Sequence, residues 1–196
     1  RSIHCCAGLL IPVVLFFVFF CCQKEADIKK ENRTIAEWIS SDPLYFSILD
    51  SSLHLTDLYD TLGTPGPFTL LAPDNSAFGI FNTNEKLDWP FPVSLLHNSM
   101  IYHILPGKIE DAGFPSGPNS TIRTLGGDSV YVSRNIRGFF INGIRVRTGV
   151  TLCSNGIVYQ LERLQIPADG NILQTITGLR SFDSLSKAIN RVVSSP

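Results

Sequence analysis

The apolar positions of this chain follow three rhythms in turn. An unbroken run from Ala7 to Phe20 opens it, helical spacing governs the first half of the body, and alternation governs the second. Thr34-Ile35-Ala36-Glu37 is a capping-box sequence, in which the Thr hydroxyl caps a helix and the Glu reaches back; Trp38 and Ile39 follow on that short helix. Asp42-Pro43 reads as an N-cap with proline in the first turn, leading through Phe46 and Leu49. A third helical stretch is expected from Leu53 to Leu62, stopping at Gly63. Past the turn Thr64-Pro65-Gly66-Pro67, the segment Phe68 to Leu71 reads as a short apolar strand, and Asp74 as the cap of a brief helix carrying Phe78 and Phe81. Pro92 opens a longer helix with Leu96, Met100 and Ile104 on its inner face.

After Pro106-Gly107 the texture turns to strands. Ile122 to Leu125 and Val130 to Ser133 flank Gly126-Gly127-Asp128, a hairpin signal. Ile144 and Val146 alternate with Arg145 and Arg147, which predicts one buried and one wet face. Asn142-Gly143 and Asn155-Gly156 read as turns in which Gly supplies a positive φ, and the latter leads into a strand from Ile157 to Ile166. Helices first and strands second predict an α+β fold. Ile172, Ile176, Phe182 and Leu185 echo the spacing of Ile35, Ile39, Phe46 and Leu49, with one residue less before the Phe. The echo predicts a second, truncated copy over residues 171–196.

The opening run is too short for a membrane span, which needs about 20 residues, and fits the core of a signal peptide. With its flanking cysteines it comes close to that length, so an uncleaved signal-anchor is the alternative. Cys22, with Cys21 before it, resembles the acylated cysteine of bacterial lipoproteins, although Phe19 and Phe20 stand where that motif prefers smaller residues. Residues 1–22 are therefore expected to be a signal peptide and lipid anchor. Residues 23–32, charged and unable to bury much, read as a solvated tether. Arg1 in place of Met, and a stop at Pro196 just after a helical pattern, suggest that both ends are cut.

Composition narrows the function classes. With 44% hydrophobic and 17% charged residues the chain is globular, and a net charge of −1 argues against a nucleic-acid partner. Four of the five cysteines bracket the opening run; Cys153 alone lies in the body and reads as a small buried hydrophobe. His54, His97 and His103 share no metal spacing, and no G-x-S-x-G or paired glycine-rich phosphate loop occurs. No cofactor, no metal site and no enzyme activity are expected.

Three motifs, in order, resemble the fasciclin domain family over roughly residues 33–167. They are Phe68-Thr69-Leu70-Leu71-Ala72-Pro73-Asp74-Asn75-Ser76-Ala77-Phe78, then Tyr102-His103-Ile104-Leu105-Pro106-Gly107, then Asn155-Gly156-Ile157-Val158-Tyr159-Gln160-Leu161 continuing to Pro167. The last departs from the family pattern at Tyr159 and Glu162, where His and Asp are usual. The resemblance implies a β-wedge or sandwich with helices at its side, and a role in adhesion or extracellular binding, often in tandem copies. It also implies an extracellular or envelope protein as partner. In animal members the Tyr-His segment is associated with integrin recognition, a partner that a lipoprotein-like chain would not share.

Two groups of residues are candidates for binding. Tyr102 and His103 stand in the central motif, but the spacing from Leu96 and Met100 turns His103 inward. The expectation is a buried histidine bonded to backbone, with direct ligand contact as the alternative. Six arginines lie between Thr121 and Gly170 against three acids, whereas ten acids and three basic residues lie between Arg33 and Asp111. Arg145 and Arg147 share a strand face, and Arg134 and Arg137 are expected in a neighbouring turn. Guanidinium groups suit carboxylates and sulfates, so an acidic polysaccharide is the alternative partner, with a plain solvated face as the bland reading. The function expected is an exported, membrane-anchored binding protein, at the cell surface or in the periplasm. An accessory glycan-binding lipoprotein is the alternative, and a hydrolase a distant third. Asn32-Arg33-Thr34 and Asn119-Ser120-Thr121 match the glycosylation sequon, unused in a bacterial host.

Overall fold

A computed structural model describes residues 28–84, 86–115 and 120–167. Cys22 and the echo over 171–196 lie outside the described residues. Strand β1 (Ile28–Lys30) comes first, so the C-terminal part of the expected tether is a strand with exposed side chains. Helix α1 (Ile35–Ser40) carries the full capping box: Glu37 N–H donates to Thr34 Oγ1 at 3.3 Å, and Thr34 N–H to Glu37 Oε2 at 2.8 Å.

Helices α2 (Pro43–Leu55) and α3 (Leu58–Gly63) depart from the expected pattern in three places. Asp42 makes no side-chain cap, because its ψ of 67° is not that of a capping residue. The helix also kinks at Phe46 (φ −129°, ψ 15°), and Asn75 plugs the kink. Its Oδ1 accepts from Ile48 N–H at 3.0 Å while its Nδ2 donates to the Leu44 carbonyl and to Ser47 Oγ. The expected helix from Leu53 to Leu62 is broken at Asp57, which is left-handed at φ 57°. Just before the break, Thr56 Oγ1 donates to the Ser52 carbonyl. Replacing Asn75 by Ala should lower stability by about 2 kcal/mol, since buried amide and carbonyl groups lose their partners; a chemical melt reads it.

Strand β2 (Phe68–Pro73) runs into a 3-10 segment, Asn75–Phe81, whose Ala77 N–H donates to Asp74 Oδ1 at 2.9 Å, the expected cap. A two-rung hairpin of β3 (Asn82–Thr83) and β4 (Lys86–Leu87) follows, then α4 (Val93–Tyr102). Ile104, expected on that helix, instead begins strand β5 (Ile104–Pro106). The remaining strands are β6 (Ser120–Arg123), β7 (Ser129–Asn135), β8 (Gly138–Ile141), β9 (Ile144–Cys153) and β10 (Gly156–Leu161).

The main sheet has the order β5-β2-β10-β9-β8-β7-β6, with β2 parallel to β10. The long strand β9 changes partners along its length: Ile144–Arg145 pair with β8, and Val150–Leu152 pair with β1 in parallel. Two apolar cores result, one on each face of the central strands. Leu70, Ala72 and Val158 face the helices with Trp38, Phe46 and Leu49. Leu71, Ile157, Tyr159 and Leu161 face Val130, Val132 and Ile141 of the β-ribbon. The α+β order read from the sequence is the order found.

The two Asn-Gly turns work differently. Asn142 (φ 50°) and Gly143 (φ 75°) are both left-handed, closing a two-residue hairpin with Ile141 opposite Ile144. In the other, Gly156 pairs with Cys153, so the turn residues are Ser154 and Asn155 and neither has a positive φ. Gly156 is required for a different reason: a Cβ there would overlap the Phe68 carbonyl and lie 2.8 Å from Ile35 Cδ1.

Candidate functional site

Tyr102 and His103 end helix α4 and are turned inward by the same helical spacing that buries Leu96 and Met100. His103 is 1% exposed. Its Nδ1 lies 2.7 Å from the Ser99 carbonyl, which can only accept, so the proton sits on Nδ1. Its Nε2 then accepts the Gln165 N–H at 3.0 Å. One neutral tautomer satisfies both contacts, and burial holds the imidazole down to about 4 despite the favourable bond to Ser99.

The bonds close a knot between three distant segments. Ser99 Oγ donates to the Gln165 carbonyl at 2.7 Å. Asn142 Nδ2 donates to both Tyr102 Oη and Gln165 Oε1, at 2.9 and 2.7 Å. Tyr102 Oη donates onward to the Ser129 carbonyl at 2.9 Å, and burial raises its phenol above the ordinary value. The expectation of a backbone-bonded histidine holds, and the motif joins α4 to the β-ribbon and to the closing segment. The sequence pattern marks Asn142 as turn chemistry alone and carries no signal for Gln165, whose partners lie far along the chain.

The arginines do not form one patch. Alternation on the paired strands puts Arg134 and Phe139 on the face shared by Val132 and Ile141, while Ser133, Phe140 and Arg145 lie on the other. Arg134, on β7 and not in the turn, makes a two-pronged bridge to Asp111 with both N–O distances at 2.8 Å, and its guanidinium lies 4.8 Å from the Phe139 ring centre. That bond draws the Asp111 carboxyl below its usual range. Arg147 does share a face with Arg145, yet it bonds Asp74 Oδ2 at 2.8 Å, and Asp74 is buried. Arg137 lies exposed in the β7–β8 turn as expected.

Arg145 sits in a shallow cleft of about 320 Å³ with Phe140, Gly143, Ile144, Glu162 and Arg163. Phe140 and Arg163 are not among the residues expected to bind, because their proximity to Arg145 depends on strand register. No group of His, Cys, Asp and Glu suited to a metal occurs among the described residues. Cys153 is buried in the helix-side core, and burial, followed by the charge of Glu31, raises its thiol to about 11. In the native chain it should react with a thiol reagent at mildly alkaline pH at least about tenfold more slowly than after denaturation, which a timed labelling assay measures.

Comparison with known proteins places this geometry. The profile of the fasciclin domain matches residues 44–167. Human periostin is 27% identical over 142 residues, which span 72% of this chain and 17% of periostin. The protein sll1483 of Synechocystis is 30% identical over 124 residues, covering 62% of this chain and 67% of that one. A solved FAS1 domain pair from the insect cell adhesion molecule fasciclin I superposes with a TM-score of 0.51 at 14% identity, over 69% of this chain and 51% of that chain.

Proposed function

The chain belongs to the fasciclin domain family, and on that premise we propose that it is an exported, membrane-tethered adhesion or binding protein that meets an extracellular or envelope partner through the outer surface of this domain. The observation that carries the reading is the use of the central Tyr-His motif. Both His103 nitrogens and the Tyr102 hydroxyl are spent on interior bonds, which leaves recognition to exposed strand faces. The description of the insect relative as a cell adhesion molecule supports the class of function. The apolar leader supports export, with Cys22 as the lipidated residue, and the echo over 171–196 supports a tandem arrangement that would add avidity. Catalysis finds no support in the buried thiol of Cys153 or the locked imidazole of His103.

The test uses the full chain on cells of a lipoprotein-processing host. Cells carrying it should adhere to a matrix or envelope surface more than cells carrying the Cys22→Ala chain, which should leave the membrane fraction. A chain retained inside the cell, or adhesion indifferent to its presence, overturns the reading. The second reading, an accessory glycan-binding lipoprotein, is favoured by one observation: the cleft at Arg145.

A further inference from the structure

We propose that the cleft formed by Phe140, Arg145, Glu162 and Arg163 binds a carboxylate-bearing sugar of an acidic polysaccharide. The proposal rests on the binding-module reading above and names its ligand class. Phe140 and Arg145 are direct partners across the β8–β9 ladder, so their side chains stand on one face. They converge over Gly138, where an added Cβ would lie 3.5 Å from Arg145 Nε and 3.9 Å from Phe140 Cε2. Glu162 follows immediately on β10, its N–H donating to the Arg145 carbonyl at 3.3 Å, and Arg163 is next in the chain.

The charge pattern separates this cleft from the other arginines. Arg134 is committed to Asp111 and Arg147 to Asp74. Arg145, Glu162 and Arg163 line one cleft without an ion pair to each other or to any other described residue. All three are exposed, while Phe140 is half-buried and therefore held.

Two guanidinium groups offer paired planar donors to a carboxylate. A half-buried phenyl ring offers an apolar platform for the C–H face of a pyranose. Glu162 accepts from sugar hydroxyls and repels a densely sulfated chain, so the lining selects a sugar that carries both carboxylate and hydroxyls. A bare anion site would have no use for Phe140 or for an acid.

The experiment titrates the full chain in detergent micelles with tetragalacturonate, and with its methyl ester as the uncharged control, by calorimetry. Saturable binding of the acid alone is expected, weakened about tenfold by Arg145→Gln and by Arg163→Gln, the loss of a charge-assisted bond. Phe140→Leu should weaken it about threefold, and Arg123→Gln, which removes an exposed charge on β6 outside the cleft, less than about twofold. Melting curves establish that each variant is folded. Equal losses from Arg123→Gln and Arg145→Gln would mean diffuse charge attraction and overturn the proposal, as would equal affinity for the methyl ester or tighter binding of a poly-glutamate peptide. No binding of tetragalacturonate by a chain that still supports adhesion removes the cleft alone. Failure of both assays removes the binding-module reading as well.

Discussion

Between pH 6.5 and pH 4 this protein should lose about 3 kcal/mol of stability through His103 alone, the gap between an ordinary value of 6.5 in the unfolded chain and about 4 in the folded one. The sign follows from which state binds the proton. Above 6.5 the histidine is neutral in both states, and the contribution of the knot is complete. Below 6.5 the unfolded chain takes up a proton that the folded chain refuses, so stability falls until about 4, where both are protonated. The refusal has a structural cause beyond burial. A proton on Nε2 would face the Gln165 N–H, donor against donor. Thermal melts across this range should shift by roughly 10 °C. In the His103→Gln chain, stability near neutral pH should be lower but this part of the pH slope should vanish. Parallel slopes in both chains would falsify the assignment.

The largest mutational loss is expected at Asn155, which the sequence presents as an ordinary turn residue. Its Oδ1 accepts the Ile35 N–H at 2.9 Å at the start of α1, and its Nδ2 donates to the carbonyls of Leu62 and Thr64 at 2.7 Å each, at the end of α3. The side chain is buried, so Asn155→Ala strands one amide and two carbonyls at once. At about 1–3 kcal/mol for each unmade buried bond, the sum is about 4 kcal/mol, a large part of a domain's stability. Asn155→Asp separates the terms. It keeps the acceptor for Ile35 and loses both donated bonds, placing a charge against two carbonyls, and should cost at least as much. Denaturant midpoints for the two variants check this, and a loss under about 1 kcal/mol in either would show that the helix ends find other partners.

What could be read from the sequence was what short-range chemistry determines. The Thr34–Glu37 box, the Asp74 cap, the Asn142-Gly143 turn and the inward face of α4 each rest on neighbours within a few residues, and each stands in the structure. The misses share a long-range cause. Asp42 does not cap because its backbone leaves the capping conformation, and α2 kinks at Phe46, where the Ile48 amide is satisfied by Asn75, far along the chain. Ile104 leaves the helix because β2 offers it a strand partner, Leu70. The four arginines split because strand pairing, which fixes the face of Arg134 relative to Arg145, is not written in either strand alone. An Asn-Gly pair points to a backbone angle, whereas the role of Gly156 is the close approach of two parallel strands.

Strand β1 gives the domain a mechanical handle. From Ile28 onward the entering chain is laid along β9 by three parallel pairings, then by Glu31 N–H to the Leu152 carbonyl at 2.7 Å and Ser154 N–H to the Arg33 carbonyl at 2.9 Å. The next link is Ile35 to Asn155. A pull on the N-terminal end therefore loads a row of bonds that runs from residue 28 to residue 35, with no slack before the helix layer. Because these bonds lie across the strand, tension along its axis shears them together instead of peeling them one at a time. The domain would therefore resist traction applied at Ile28, where β1 begins.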